Sequence, residues 1–283
     1  VAPVQPLKRY AVCQSVLRSG DLATDIGWAG AAGATGIGLD ASAVLATGID
    51  AVVDLLAQNG LAVSSLQPAL DPILTSTTQR EVAANVEAMV TLCTDLGASG
   101  IMLTTGPRGD RSIAAADRAC AAWLSDMAPI AADAGVSLLL EPVHPLLRDV
   151  SYVHSLRHAV ELTAGQAGTA LVADTGHLWW DRRVNEDLTE LASAIGSVQI
   201  DDIDGDALVE MSYRRTQLGD GVIPLAEIIE ALETSGYRGF YENEVIARIP
   251  RGDRTAFVRL GGERLAALLH AVIAVTEPCE RTL

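Results

Sequence analysis

The feature that most constrains the fold is a rhythm. Short, continuous apolar runs alternate about eight times with longer amphipathic, Ala/Leu-rich segments along the 283 residues. The runs span 9–14, 36–39, 62–66, 101–104, 136–141, 170–174, 198–201 and 239–244. Continuous apolar runs bounded by turn residues suit strands covered on both faces, as in a parallel sheet. The intervening segments, 21–32, 48–59, 78–96, 113–134, 151–163, 185–195, 225–235 and 255–275, carry the apolar spacing of helices. Eight such repeats, with no linker or low-complexity run, predict one α/β domain over residues 1–283, a single (β/α)8 barrel. A doubly wound open sheet is the competing architecture, but no GxGxxG follows any of the runs. Gly33, Gly60, Gly97, Gly135, Gly196 and Gly236 mark the expected helix ends. The longest irregular stretches, 67–77, 105–112 and 202–224, all follow strands and so fall on the rim where barrel enzymes keep their active sites.

Four oxygen-bearing side chains each close an apolar run. They are Glu141 in GVSLLLEPVHP, Asp174 in TALVADTGH, Gln199 in SVQIDD and Glu244 in GFYENEV. In a parallel barrel these strand ends converge on one rim. Three carboxylates held together repel and would not all stay ionised without a cation, and a divalent metal is the simplest one. Two positions have rivals on the same strand face, Asp201 beside Gln199 and Glu242 beside Glu244. Glu244 is preferred because it lies further along its strand. His144, in the proline-stiffened EPVHP loop, and His177, three residues after Asp174, are the imidazoles near the same rim. His177 fits a metal ligand, a substrate contact or a structural histidine under Trp179 and Trp180. The two tryptophans fit either a floor for a sugar or aromatic group, with Trp179 as the substrate contact, or simple packing.

Composition removes several classes. A formal charge of −16 and a pI near 4.6 argue against nucleic acid, which needs a basic stripe. The four cysteines are scattered without CxxC spacing, and no 18-residue apolar run or leader is present. The expectation is a reducing, cytoplasmic setting with no membrane span.

Five motifs taken together, GVSLLLEP, VADTGHLWW, SVQIDD, GDGVIPL and GYRGFYENEV, resemble the sugar phosphate isomerase/epimerase family. These are xylose-isomerase-like TIM barrels related to ketose 3-epimerases and hydroxypyruvate isomerases. The resemblance runs from about residue 135 to 245; the earlier half matches only in rhythm. It implies that Glu141, Asp174, Gln199 and Glu244 are the metal ligands, Glu244 falling five residues after Gly239 as in the family. It also implies that His177, the histidine of a DxxH, and Arg215, four residues before Gly219-Asp220-Gly221, contact substrate. Many members carry histidine where Gln199 stands, whereas the hydroxypyruvate-isomerase-like branch carries glutamine. An all-oxygen donor set favours Mn²⁺, with Mg²⁺ as its substitute, over Zn²⁺.

The implied activity is isomerisation or epimerisation of a ketose or keto-sugar through a metal-stabilised enediolate, with Glu141 and Glu244 as acid and base. The EPVHP segment resembles a subset that includes lyases of 3-keto-glycosides, in which His144 would be the base. A histidine-rich nuclease on the same fold and a non-catalytic sugar-binding subunit are the readings from other classes. The expected partner is a small sugar, with a homo-oligomer or second subunit left open.

Overall fold

Eight of the apolar runs pair in parallel, each with the next, until the last closes on the first. The structure is a computed structural model that describes residues 9–68, 70–75, 79–210, 212–246 and 254–276. Its strands are β1 Tyr10–Cys13, β2 Gly36–Asp40, β3 Ala62–Gln67, β4 Gly100–Leu103, β5 Ser137–Leu140, β6 Thr169–Asp174, β7 Ile195–Ile200, β8 Asp202–Ile203, β9 Arg215–Thr216 and β10 Tyr241–Asn243. The closed barrel runs β1-β10-β7-β6-β5-β4-β3-β2, and β8 and β9 form a separate antiparallel ribbon. The fold class is therefore the (β/α)8 barrel that the rhythm predicts.

The strands are buried on both faces, which is why they read as continuous apolar runs rather than alternating ones. Most of the apolar core lies between strands and helices, Leu138 and Leu140 among it. Leu139 instead joins Met102 and Val172 in a small separate cluster inside the barrel. Side chains alternate along a strand, so Glu141 and Asp174, two residues beyond Leu139 and Val172, continue that inner face to the C-terminal rim.

Several expected boundaries move, for local reasons. Gly196 ends no helix: it lies within β7, and a Cβ there would meet Leu139 Cδ2 at 2.7 Å. The other five glycines do adopt positive φ. The helix expected over 151–163 begins only at Leu156, where Ser155 accepts the His158 N–H. Ser151 instead ties two rim loops together, its hydroxyl 2.8 Å from Thr105 Oγ1. The segment expected as a helix over 185–195 is Val184–Glu190 followed by a 3₁₀ turn, and Ile195 already belongs to β7. Several short helices were not expected, among them Gln14–Leu17 and Ala41–Thr47, the second capped by Asp40, which accepts the Ser42 and Ala43 N–H groups. The stretch 202–224 is not wholly irregular, since it holds the β8–β9 ribbon and a helix at Gly205–Val209. The starts expected at 9 and 255 shift by one residue, while Thr78 and part of 67–77 lie outside the described residues.

The chain is closed by its last helix, Arg254–Thr276. Tyr10 Oη donates to the Val258 carbonyl at 2.6 Å and accepts from Asn243 Nδ2 at 3.1 Å, joining β1, β10 and that helix. No single helix among the described residues is long and apolar enough to cross a membrane.

Candidate active site and cation site

Asp174 does two jobs at the end of β6. Its Oδ1 accepts the Gly176 and His177 N–H groups, at 2.7 and 3.3 Å, which caps the short helix Thr175–Leu178. That turn brings the His177 ring back over the rim, with Nε2 3.8 Å from Asp174 Oδ2 and 3.6 Å from Glu141 Oε1. Glu141, Asp174 and His177 thus offer three donor atoms within 4.8 Å of one another, a triad that could bind a metal.

The protein also supplies a cation of its own. Arg215, at the start of β9, is buried and reaches three carboxylates. Nη2 meets Asp174 Oδ2 at 2.9 Å, Nη1 meets Glu244 Oε2 at 2.7 Å, and Nε pairs with Asp201. Nη2 also lies 3.3 Å from His177 Nε2. Burial works against the guanidinium charge, but Asp201, Asp174 and Glu244 outweigh it and hold Arg215 protonated. Arg215 was expected only to face a substrate. Its carboxylate partners were out of reach of sequence spacing because they come from three other strand ends.

The titratable groups are strongly displaced. Burial, then the neighbouring Glu244 and Asp174 charges, push the Glu141 carboxyl well above its ordinary value, with Arg215 opposing. Burial also raises Glu244, and there Arg215 opposes first. Burial, then the Arg215 charge, lower His177 to about 3, so its ring is neutral at physiological pH. Tyr213 Oη lies 2.9 Å from His177 Nδ1, and the two rings stack at 5.6 Å. With Arg215 donating to Nε2, the His177 proton resides on Nδ1 and is given to Tyr213.

Gln199 is fully buried, as is Asp174 beside it. It pairs in register with Asp174 on one side and Glu242 on the other. Nε2 donates to Glu242 Oε1 at 3.1 Å, and Oε1 is buried without a partner. Glu242 turns inward to Ser64, Ser65 and Gln199, whereas Glu244 stands at the rim. Asp201 serves Arg215 and Thr175, whose Oγ1 donates at 3.0 Å.

His144 lies beside the triad rather than in it. Its Nδ1 accepts the Leu146 N–H at 3.2 Å, and its ring packs against Tyr213 at 5.3 Å and the edge of Trp180 at 6.0 Å. Burial and His154 lower its proton affinity. Trp179, the expected substrate contact, is partly buried and packs against the core. Trp180 is the exposed member of the pair, and its Nε1 donates to the His177 carbonyl at 2.8 Å.

Two residues important to the site were missed. Tyr213 could have been found from its alternation with Arg215, which puts both on one face of the same strand-like stretch. Asp202 is the other. Its two carboxylate oxygens accept the N–H groups of Ile203, Gly219, Gly221 and Ile223 at 2.9–3.0 Å, folding the loop that carries Arg215. The GDG motif was the available signal: a Cβ on Gly221 would fall 2.2 Å from Asp202 Oδ1.

A cavity of about 690 Å³ opens over these groups, lined by Glu141, Val143, His177, Tyr213, Arg215 and Glu244 among others. A slightly larger one, about 740 Å³, lies over β1–β3 and holds Cys13 and Gln67 but none of the triad. Of these two, the first is the one that triad side chains line, Glu141 and His177. The donor set fits a divalent cation, because buried carboxylates with raised proton affinities and an orphaned amide oxygen all gain from one.

No curated protein matches the sequence. Among solved structures, a xylose isomerase domain protein from Alicyclobacillus acidocaldarius is 22% identical, covering 94% of this chain and 99% of that one at a TM-score of 0.80. An L-ribulose 3-epimerase is 20% identical over 97% of this chain and all of its own, with a TM-score of 0.75. A 3-keto-D-glucoside 4-epimerase from E. coli is 16% identical over 93% and 99%, with a TM-score of 0.76. At these identities the likeness is one of fold. A family model described as xylose isomerase-like TIM barrel matches residues 26–259. This chain belongs to the xylose isomerase-like TIM barrel family.

Proposed function

We propose that the protein is a divalent-cation-dependent isomerase or epimerase of a ketose or keto-sugar, transferring a proton at the carbon beside a carbonyl. One observation carries this reading. Two buried carboxyls of raised proton affinity, Glu141 and Glu244, line one cavity from strand ends three places apart around the barrel. Groups that address a carbon from different sides are what inversion at that carbon needs. The family and two sugar epimerases among the fold neighbours are consistent with it.

Glu244 has Arg215 on its Oε2, which favours its ionised form and makes it the base; Glu141, without so close a partner and with the more strongly raised proton affinity, is the group that holds and returns a proton. Arg215 and His177 face the cavity from the same side, the first a fixed positive charge and the second a neutral ring, and both suit hydroxyl or oxyanion contacts. A divalent cation held by Glu141, Asp174, Gln199 and Glu244 would supply the charge that polarises a substrate carbonyl. Mn²⁺ is the proposed ion. The single free lone pair of His177 already accepts from Arg215, whereas each carboxylate oxygen keeps a further lone pair, so the donors stay all-oxygen.

A second reading, β-elimination from a 3-keto-glycoside, is favoured by the His144, Trp180 and Tyr213 ring cluster beside the cavity, which suits an aromatic leaving group. His144 as found would not be its base. With Nδ1 accepting from Leu146, the neutral ring carries its proton on Nε2 and is set to donate. The deciding experiment is NMR of Mn²⁺-loaded protein in D₂O with free ketoses and 3-keto-glycosides. Deuterium at a ketose carbon with a new sugar formed is the expected outcome. Aglycone release with ketoses untouched would replace it with the lyase.

A further inference from the structure

Deep in the barrel, below the triad, a carboxylate has no role in the chemistry above. Glu242 is 1% exposed. Its Oε2 accepts from Ser64 Oγ and, at 2.9 Å, from Ser65 Oγ; its Oε1 accepts from Gln199 Nε2 at 3.1 Å. Gly38 leaves it room, since a Cβ there would lie 2.5 Å from Glu242 Oε1. A buried charge is costly, and here three donors from two strands and an absent side chain are committed to keeping it in one place.

What that fixes is the direction of a neighbouring amide. The hydroxyls of Ser64 and Ser65 already donate to Glu242 Oε2 and Gln199 Nε2 donates to Oε1, so the carboxyl oxygens act as acceptors and the reversed amide would set oxygen against oxygen. Oε1 must then point away from Glu242, and it is buried with no hydrogen-bond partner. An orphaned buried acceptor is costly to the fold. It is explained if a cation takes it, and Asp174, the in-register neighbour of Gln199, is part of the triad.

We infer that Glu242 is a positioning residue for the cation site, holding the Gln199 amide so that its oxygen, not its nitrogen, is presented to the ion. The inference rests on the cation reading above. It assigns Glu242 no contact with substrate or ion.

The test is Mn²⁺ affinity by calorimetric titration, in a double-mutant cycle of Glu242→Gln and Gln199→Ala, with thermal melts of the metal-free proteins. Glutamine at 242 can donate to Gln199 as well as accept, so the amide loses its bias. The expected result is a ten- to hundredfold weaker Kd for Glu242→Gln, the usual range for a group behind a metal ligand. In the Gln199→Ala background the same change should cost little, because the amide it orients is gone. A merely structural role would give equal losses in both backgrounds and overturn the inference. Gly38→Ala covers a failure of Glu242→Gln to fold: its Cβ displaces the carboxylate while every polar group is kept, and it should weaken Mn²⁺ binding too. Unchanged binding in Gly38→Ala or Glu242→Gln overturns the inference while the cation site stands. If the wild type binds no divalent cation, the cation site falls and the inference with it.

Discussion

At the scale of single residues, the site is governed by which groups hold protons. His177 is neutral with a proton affinity lowered to about 3, against 6.5 for a free imidazole. The sign follows directly: the unfolded chain binds a proton that the folded one refuses, so His177 leaves stability intact above pH 6.5 and withdraws it as pH falls toward 3. The slope is about 1.4 kcal/mol per pH unit. His177→Asn should therefore unfold less steeply than wild type between pH 6 and 4, as measured by urea denaturation across that range. Glu141 behaves oppositely. Its raised affinity means that ionising it costs the metal-free fold stability as pH rises from its unfolded value toward its folded one. A bound cation removes that cost, so the rise in Tm on adding Mn²⁺ should grow from pH 5 to 8; a constant rise would exclude Glu141 as a ligand. Glu141→Gln should lower turnover by about 10²–10⁴, and unchanged turnover at full metal occupancy would remove Glu141 from the chemistry. Glu141, Asp174, Gln199 and Glu244 were all visible in the sequence as polar residues closing apolar runs. What each touches was not. The sequence offered no hint that Gln199 bonds Glu242 or that Trp180 rather than Trp179 lies near His144, because both depend on rotamers chosen by packing.

At the scale of elements, the β8–β9 ribbon is the part that builds the site from outside the barrel. It exists because Asp202 gathers four backbone N–H groups and because Arg215 Nε and Asp201 close its inner end. Asp202→Ala would leave those N–H groups without their shared acceptor, at a cost on the order of 3 kcal/mol. It should also release Arg215 and so impair activity in protein that remains folded. Chemical denaturation and single-turnover rates on the same preparation check the two effects separately. The ribbon was read as irregular because its strands are two residues each, too short to show a period. The barrel strands, by contrast, were all legible, most within a residue of their ends, though β7 starts three residues before the expected run and β10 two residues after. Burial on both faces makes a strand apolar throughout, and that signal survives without tertiary information.

At the scale of the whole molecule, the first and last strands of the barrel are neighbours, so the structure closes only when both ends of the chain are in place. Tyr10, Asn243 and the helix Arg254–Thr276 meet at that seam, where a Cβ on Gly261 would fall 2.4 Å from Asn243 Nδ2. Gly261→Ala should cost about 1–3 kcal/mol, read as a lower Tm of a single calorimetric transition. Two resolved transitions would contradict a single cooperative barrel. The same closure explains the division between what could and could not be read in advance. The sequence by itself determined the eight repeats, and hence the barrel and the rim on which Glu141, Asp174 and Glu244 gather, since these follow from local periodicity and chain direction. Only the tertiary structure decided that Arg215 is the protein's own cation among them and that Glu242 lies behind Gln199. Those are contacts between residues on different strand ends, well separated along the chain. Their geometry is set by how strands register around a closed barrel, which no local pattern records.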